Sequence, residues 1–264
     1  ITTIKVPEKF DISFLTKGGE VSLTNIEGEF SGKTMGGKFE FDRLNGKVDC
    51  TTMGGEIKIT NSQLCGRVKT MGGNIKLDHV DGSLNVETMG GNIEQANVNM
   101  NKKEGEDGVT IKTMGGNIKL DKLLNGGKVS TMGGNISIDH VKGYAETVTM
   151  GGSINIEKLD GGVSAKTMGG SVSVKCENVT DKIKLTAMSG MVELYIPADS
   201  DVEIRISVNG MFTGDDDFTN FIESDFKLDY KIKDDMLIAT GTNGTGKNTI
   251  ELSSNMGKVI LHKL

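Results

Sequence analysis

Apolar and polar residues alternate along most of this chain. In the stretch from Thr70 to Glu87 (TMGGNIKLDHVDGSLNVE), Ile75 and Leu77 stand between Asn74, Lys76 and Asp78. Further on, Leu84 and Val86 stand between Ser83, Asn85 and Glu87. Strict alternation of this length predicts a half-buried strand. Between the two runs, residues 79–82 (HVDG) read as a turn with one apolar residue, Val80. The parity continues into Thr88, so the second strand runs straight into the next corner. Phe39, Phe41, Leu44, Val48 and Cys50 fill the same slots in another segment, and Ile154, Ile156, Leu159, Val163 and Ala165 in a third. No 3.6-residue stripe appears, so helices are not expected there.

The corners are nearly identical. The tetrapeptide TMGG occurs eight times, first as Thr34, Met35, Gly36 and Gly37, then as Thr52, Met53, Gly54 and Gly55, then as Thr70, Met71, Gly72 and Gly73, and so on to Gly170. TKGG precedes the series at 16–19, and AMSG follows it at 187–190. The first Thr recurs every 18 residues, except for one step of 25 between Thr88 and Thr113. A hairpin meander gains nothing from a constant period. A solenoid does, because equivalent residues stack about 4.8 Å apart and a residue that packs well once packs well in every coil. Crossovers between parallel strands also prefer the right-handed sense. The prediction is an all-β, right-handed parallel β-solenoid (β-helix) of about ten 18-residue coils, with two short strands each, roughly 45–50 Å long.

One continuous domain follows, in three parts. Residues 1–15 are expected to form N-terminal cap strands, 16–191 the regular coils, and 192–264 looser coils that close the other end. The aromatics agree with caps: Phe10, Phe14, Phe30, Phe39 and Phe41 lie early, Tyr195, Phe212, Phe218, Phe221, Phe226 and Tyr230 late, and only Tyr144 between. The long step makes residues 99–108 (NMNKKEGEDG) an expected bulging loop, with Asn101, Lys102, Lys103 and Glu104 as candidate contact residues. An irregular acidic loop with a short helix is expected around Asp215, Asp216 and Asp217.

The corner has a physical reading. Gly-Gly is expected to supply backbone angles closed to other residues. Thr points inward by parity, where its hydroxyl can bond to the corner backbone or to the Thr above. Met is expected to fold over the core edge as a packing column; the alternative is an exposed, soft, oxidation-sensitive stripe. An Asn column (Asn74, Asn92, Asn117, Asn135) is expected to stack amide on amide. Asp42, Asp78, Asp121, Asp139 and Glu157 share one repeat position. Stacked carboxylates suggest Ca²⁺ or a glycosidase pair, but neither the β-roll nonapeptide nor an asymmetric acid–base cluster is present, and a solvated strand end is preferred. His79 and His140 share a turn position and make no metal triad with His262. Only Thr147 and Thr149 form the Thr-x-Thr pair of an ice-binding array.

Composition narrows the partners. A net charge of −6 and only three Arg (Arg43, Arg67, Arg205) argue against nucleic acid. No apolar run reaches the ~20 residues of a membrane span. Cys50, Cys65 and Cys176 lack metal spacing; Cys50 is expected to be a buried thiol, with a Cys50–Cys65 disulfide as the alternative. No cofactor is indicated. The sequence opens at Ile1, not Met, without a signal peptide, so an N-terminal stretch is expected to have been removed.

An opening Val6-Pro7, short units of the form T-x-x-G-x-I-x-I-x-x-V-x-G-x-V, a late IPADSDVEIRISVNG (196–210) and a closing IELSSNMGKVILHKL together mark a resemblance. The chain resembles, over nearly its whole length, a bacterial β-strand-repeat family labelled as adhesins, a domain of unknown function. The resemblance implies a solenoid and export to the cell envelope, and it offers no catalytic residues. The functional expectation is a non-enzymatic, exported envelope protein that presents an adhesin-like binding or spacer surface to a protein or polysaccharide partner. The alternatives are a polysaccharide-active enzyme on a β-helix and an envelope stress sensor or scaffold.

Overall fold

A computed structural model describes residues 3–97, 109–124, 126–210, 212 and 217–264. The chain is an all-β solenoid of about ten parallel stacked coils, with a single 3-10 turn, Phe218–Asn220, as its only helical element among the described residues. A typical coil is one strand, such as Phe39–Thr52, which pairs in parallel with Val21–Thr34 before it and Ile57–Thr70 after it. Most coils therefore do not hold the two separate strands that the alternation predicts. Several coils carry a positive-φ glycine, such as Gly46, Gly66 or Gly82, and ahead of it a bend is made by a left-handed residue, with inter-coil pairing resuming on both sides. In the early coils that residue is Asn25, Arg43, Asn61, His79 or Asn97, each with φ between 49° and 57°. Asn tolerates this region best, which accounts for three of the five.

Inward side chains form unbroken columns. One runs Val21, Phe39, Ile57, Ile75, Ile93 and on through Ile118 and Ile136, all in register. From Phe39 onward these side chains are at most 1% exposed. Each buried Ile or Leu stabilises the stack by roughly 1.5–3 kcal/mol. Lys58–Glu40 (3.0 Å), Lys47–Glu29 (3.1 Å) and Lys175–Glu157 (3.3 Å) pair across coils on the outer surface. Such exposed pairs contribute about 0–1 kcal/mol each.

At the N-terminal end, Ile12–Thr16 is the second arm of an incomplete coil, parallel to residues 30–34, and Phe14 meets Phe39 edge-on at 5.5 Å. The C-terminal end departs from a simple run of looser coils. Val192–Ile196 stacks on residues 172–175, but Val202–Asn209 skips a layer. The vacant layer is filled by Asn248–Ser254 and Val259–Lys263, the part of the chain latest in sequence. Asn248–Ser254 lies between residues 183–187 and Val202–Asn209; Val259–Lys263 lies between Val192–Ile196 and Ile222–Ser224. An antiparallel hairpin, Asp229–Lys233 with Met236–Asn243, then pairs with Val202–Asn209 and ends the sheet. Its turn residues Asp234 and Asp235 both have positive φ, as a type I′ turn requires.

Candidate functional site

The corners from Thr52 to Thr167 share one hydrogen-bond relay. Thr52 Oγ1 accepts from Gly55 N–H of its own corner at 3.1 Å and donates to Gly37 O of the coil before at 2.8 Å. Thr149 does the same with Gly152 N–H (3.3 Å) and Gly134 O (2.8 Å). Across the 25-residue step, Thr113 donates to Gly91 O at 2.8 Å without distortion. The relay breaks at Ala187, which has no hydroxyl, and resumes in the interleaved coil with Ser for Thr: Ser254 Oγ donates to Gly190 O at 3.0 Å. From Thr52 to Thr167, each corner hydroxyl thus satisfies two backbone groups that strand pairing leaves over.

The glycines act differently from the expectation. No TMGG glycine has a positive φ among the described residues. The second glycine supplies room instead: a Cβ on Gly55, Gly73 or Gly91 would lie 2.0 Å from the carbonyl oxygen of the glycine below. The first is open in the early corners, with nothing within 4 Å at Gly36 and 3.6 Å or more at Gly54, Gly72 and Gly90, and tightens to 3.2 Å at Gly151 and 3.1 Å at Gly169.

The methionines correct the packing-column expectation. Met35 is 59% exposed, Met53 48% and Met71 39%. The relay pins Thr inward, so strand parity carries straight through to Met and turns it outward, with no core edge in reach. Thr147 and Thr149 are both fully buried and present no surface array.

The Asn column bonds to backbone rather than stacking amides. Asn74 Oδ1 accepts from Asn92 N–H at 2.8 Å, Asn92 Oδ1 from Asn117 N–H at 2.7 Å, and Asn117 Oδ1 from Asn135 N–H at 2.8 Å. Just after the corner these N–H groups have no strand partner, and the side chain of the coil below supplies one.

The acidic column holds the bends. Asp42 Oδ1 accepts from Asn61 Nδ2 of the next coil at 2.9 Å and from Thr60 Oγ1 at 2.9 Å, while Arg43 pairs with Oδ2 at 2.9 Å. Asp78 accepts from Asn97 Nδ2 at 3.0 Å and pairs with His79 Nδ1 at 2.8 Å. Asp121 accepts from Lys122 N–H at 2.7 Å. The bond from Asn61 lowers the pKa of Asp42, and that from Asn97 lowers the pKa of Asp78. Glu157 is lowered by Asn155 and then by Lys175. Among the described residues no group of three or more His, Cys, Asp or Glu is placed to hold a metal ion.

Asn101, Lys102, Lys103, Glu104, Asp215 and Asp216 lie outside the described residues. Asp217 caps the 3-10 turn, where its carboxylate accepts from Thr219 N–H at 3.0 Å and Thr219 Oγ1 at 2.7 Å. A cleft of about 520 Å³ opens where the chain skips its layer. Glu177, Asn178, Asp199, Asp201 and Lys247 contribute to its walls. Asp201 is already engaged: it accepts from Thr245 N–H (2.6 Å), Thr245 Oγ1 (2.7 Å) and Gly246 N–H (2.7 Å), which clasps the turn before the interleaved coil. Sequence reading missed this clasp, since its partners lie 44 or more residues apart.

All three cysteines are free thiols. Cys50 points inward opposite Val68, whereas Cys65 sits opposite Lys47, so the pair cannot meet. Burial pushes Cys50 and Cys176 up to about 12, so both are inert at neutral pH.

One comparison with known proteins gives a match. The sequence profile of Toastrack DUF4097 aligns with residues 2–123 and again with 94–262, which together span almost the whole chain. The chain belongs to the Toastrack DUF4097 family. The profile fits twice, with an overlap, as expected for a protein whose coils are equivalent. No curated protein and no solved structure matches this Toastrack chain. No helix among its described residues is long and apolar enough to cross a membrane.

Proposed function

We propose that this Toastrack chain is a non-enzymatic solenoid of the bacterial cell envelope, exported, which offers a long binding or spacer surface to an envelope protein or polysaccharide. The observation that carries the reading is the use made of the acidic column. Hydrolysis of a glycosidic bond needs one carboxyl kept protonated beside another that is ionised. In this column every resolved carboxylate shift is downward, and Asp42 and Asp78 are committed to the bend residues of neighbouring coils. Chemically uniform columns on a rigid stack suit repeated weak contacts to a repetitive partner.

The test is a panel of cell-envelope polysaccharides incubated with the purified chain. Retention on the immobilised chain, with no new reducing ends, is the expected result. Release of reducing ends that disappears in Asp78→Ala would overturn it in favour of an enzyme. Fractionation of the source cells tests the location, and recovery from the cytosol alone would remove the envelope assignment.

A further inference from the structure

Two positions of the corner have a structural cause throughout the regular coils. Thr makes the relay, and the second glycine allows the close approach. The first glycine has one only in the later coils, where a Cβ on Gly151 or Gly169 would lie 3.2 or 3.1 Å from the glycine below, and the methionine has none. From Met35 to Met188, nine successive coils place a methionine at this position, and every one is between 37% and 59% exposed. An exposed strand position ordinarily carries polar or β-branched residues. Even where the motif decays to AMSG, losing Thr and the first glycine, Met188 is retained.

The column is held in register by the backbone. Met71 N–H donates to Thr52 O at 3.2 Å, Met114 N–H to Met89 O at 3.3 Å, and Met132 N–H to Met114 O at 3.2 Å. Neighbouring methionines are therefore about one inter-strand spacing apart, 4.7–4.9 Å. The bare, exposed first glycine beside each one from Met35 to Met168 leaves its flank open to solvent.

A thioether is a neutral, soft donor, and soft sulfur ligands select soft d¹⁰ ions such as Cu(I) over hard cations. Metal–sulfur bonds are about 2.3 Å long, so an ion held between two sulfurs spans about 4.6 Å, close to the coil repeat. The three rotatable bonds of Met take up the difference. We propose that the corner ladder is a binding site for soft monovalent cations of the Cu(I) and Ag(I) class, each ion bridged by thioethers of adjacent coils. Binding is simple coordination, with no change of oxidation state and no proton released. Nine sulfurs at two or three per ion give about three or four ions per chain. The inference is independent of the envelope reading, because it is measured on the purified chain alone.

Cys65 is a partly exposed competing thiol, so the test uses a Cys65→Ser background. Folded protein is titrated with Ag(I), and with Cu(I) under anaerobic conditions against a chromophoric chelator; native mass spectrometry counts the ions. About three or four ions are expected. A variant with Met53, Met89, Met132, Met168 and Met256 changed to Leu keeps five of the nine corner thioethers but leaves none with a methionine in the next coil, since Met256 lies in the coil stacked on Met188. It should lose nearly all chelator-competent binding, at least about tenfold in affinity, with thermal unfolding little changed because the sites are exposed. Capacity that falls only in proportion to the methionines removed would overturn the ladder. So would a wild-type chain that competes no better than free methionine.

Discussion

The two glycines of a corner look interchangeable in sequence, yet the structure assigns them different tasks. At Gly134 a Cβ would stand 2.0 Å from Gly116 O, whereas at Gly133 its nearest neighbour would be 3.4 Å away. Gly134→Ala must therefore push two coils apart and should cost at least about 2–3 kcal/mol, while Gly133→Ala should stay within about 0.5 kcal/mol of wild type. Denaturant unfolding of the two variants side by side measures the difference. Parity along the strand made the inward Thr and its bond to the corner backbone legible in advance. The outward Met follows from the same parity, but a glycine pair that seemed to need special backbone angles concealed it. Spacing between coils is not written in any single corner, so the steric role of the second glycine was not legible.

At the level of the strand, alternation revealed where the arms lie and failed to reveal which arm stacks on which. Ile204, Ile206, Ile250 and Leu252 present the same inward pattern, and any of them would fit any layer. The layer skipped at residues 197–201 rests on the Asp201 clasp, a long-range contact that periodicity does not encode. The closing hairpin escaped notice because Asp234 and Asp235 take the place of the usual Asn-Gly. The interleaved coil has a measurable consequence. Leu252 is 1% exposed and lies in register between Leu185 and Ile206. Leu252→Ala should cost about 2–5 kcal/mol locally. Amide hydrogen exchange should quicken in Val202–Asn209 and Met236–Asn243, which are held to the stack through this coil, and stay unchanged in Phe39–Thr52.

Over the whole molecule, titration bounds stability on both sides. The carboxylates of Asp42, Asp78, Asp201 and Glu251 have pKa values below their ordinary range, chiefly through hydrogen bonds from Asn61, Asn97, Thr245 and Lys182 respectively. A depressed carboxylate stabilises the fold above its unfolded pKa, and that contribution is lost as pH falls through the folded value. The thiols of Cys50 and Cys176 run the other way. They favour the fold below their ordinary value of 9.0, and that contribution fades as pH rises toward about 12. Thermal unfolding should thus be flat from about pH 5 to 8 and fall on either side. Asp201→Asn should weaken the acid limb, and Cys176→Ala the alkaline one. The architecture was legible at this scale because nine in-register repeats of one corner leave few other ways to stack. The bent, continuous strand was not, since a left-handed residue such as Arg43 carries no turn signal. The relay also bears on how such a chain changes over generations. Thr113 reaches Gly91 across 22 residues as well as Thr149 reaches Gly134 across 15. A coil meets the same interface wherever it stands in the regular stack. Unequal recombination that adds or drops one in-frame repeat of the gene therefore creates no new contact to be solved, and the length of the rod is free to drift while its ends stay fixed.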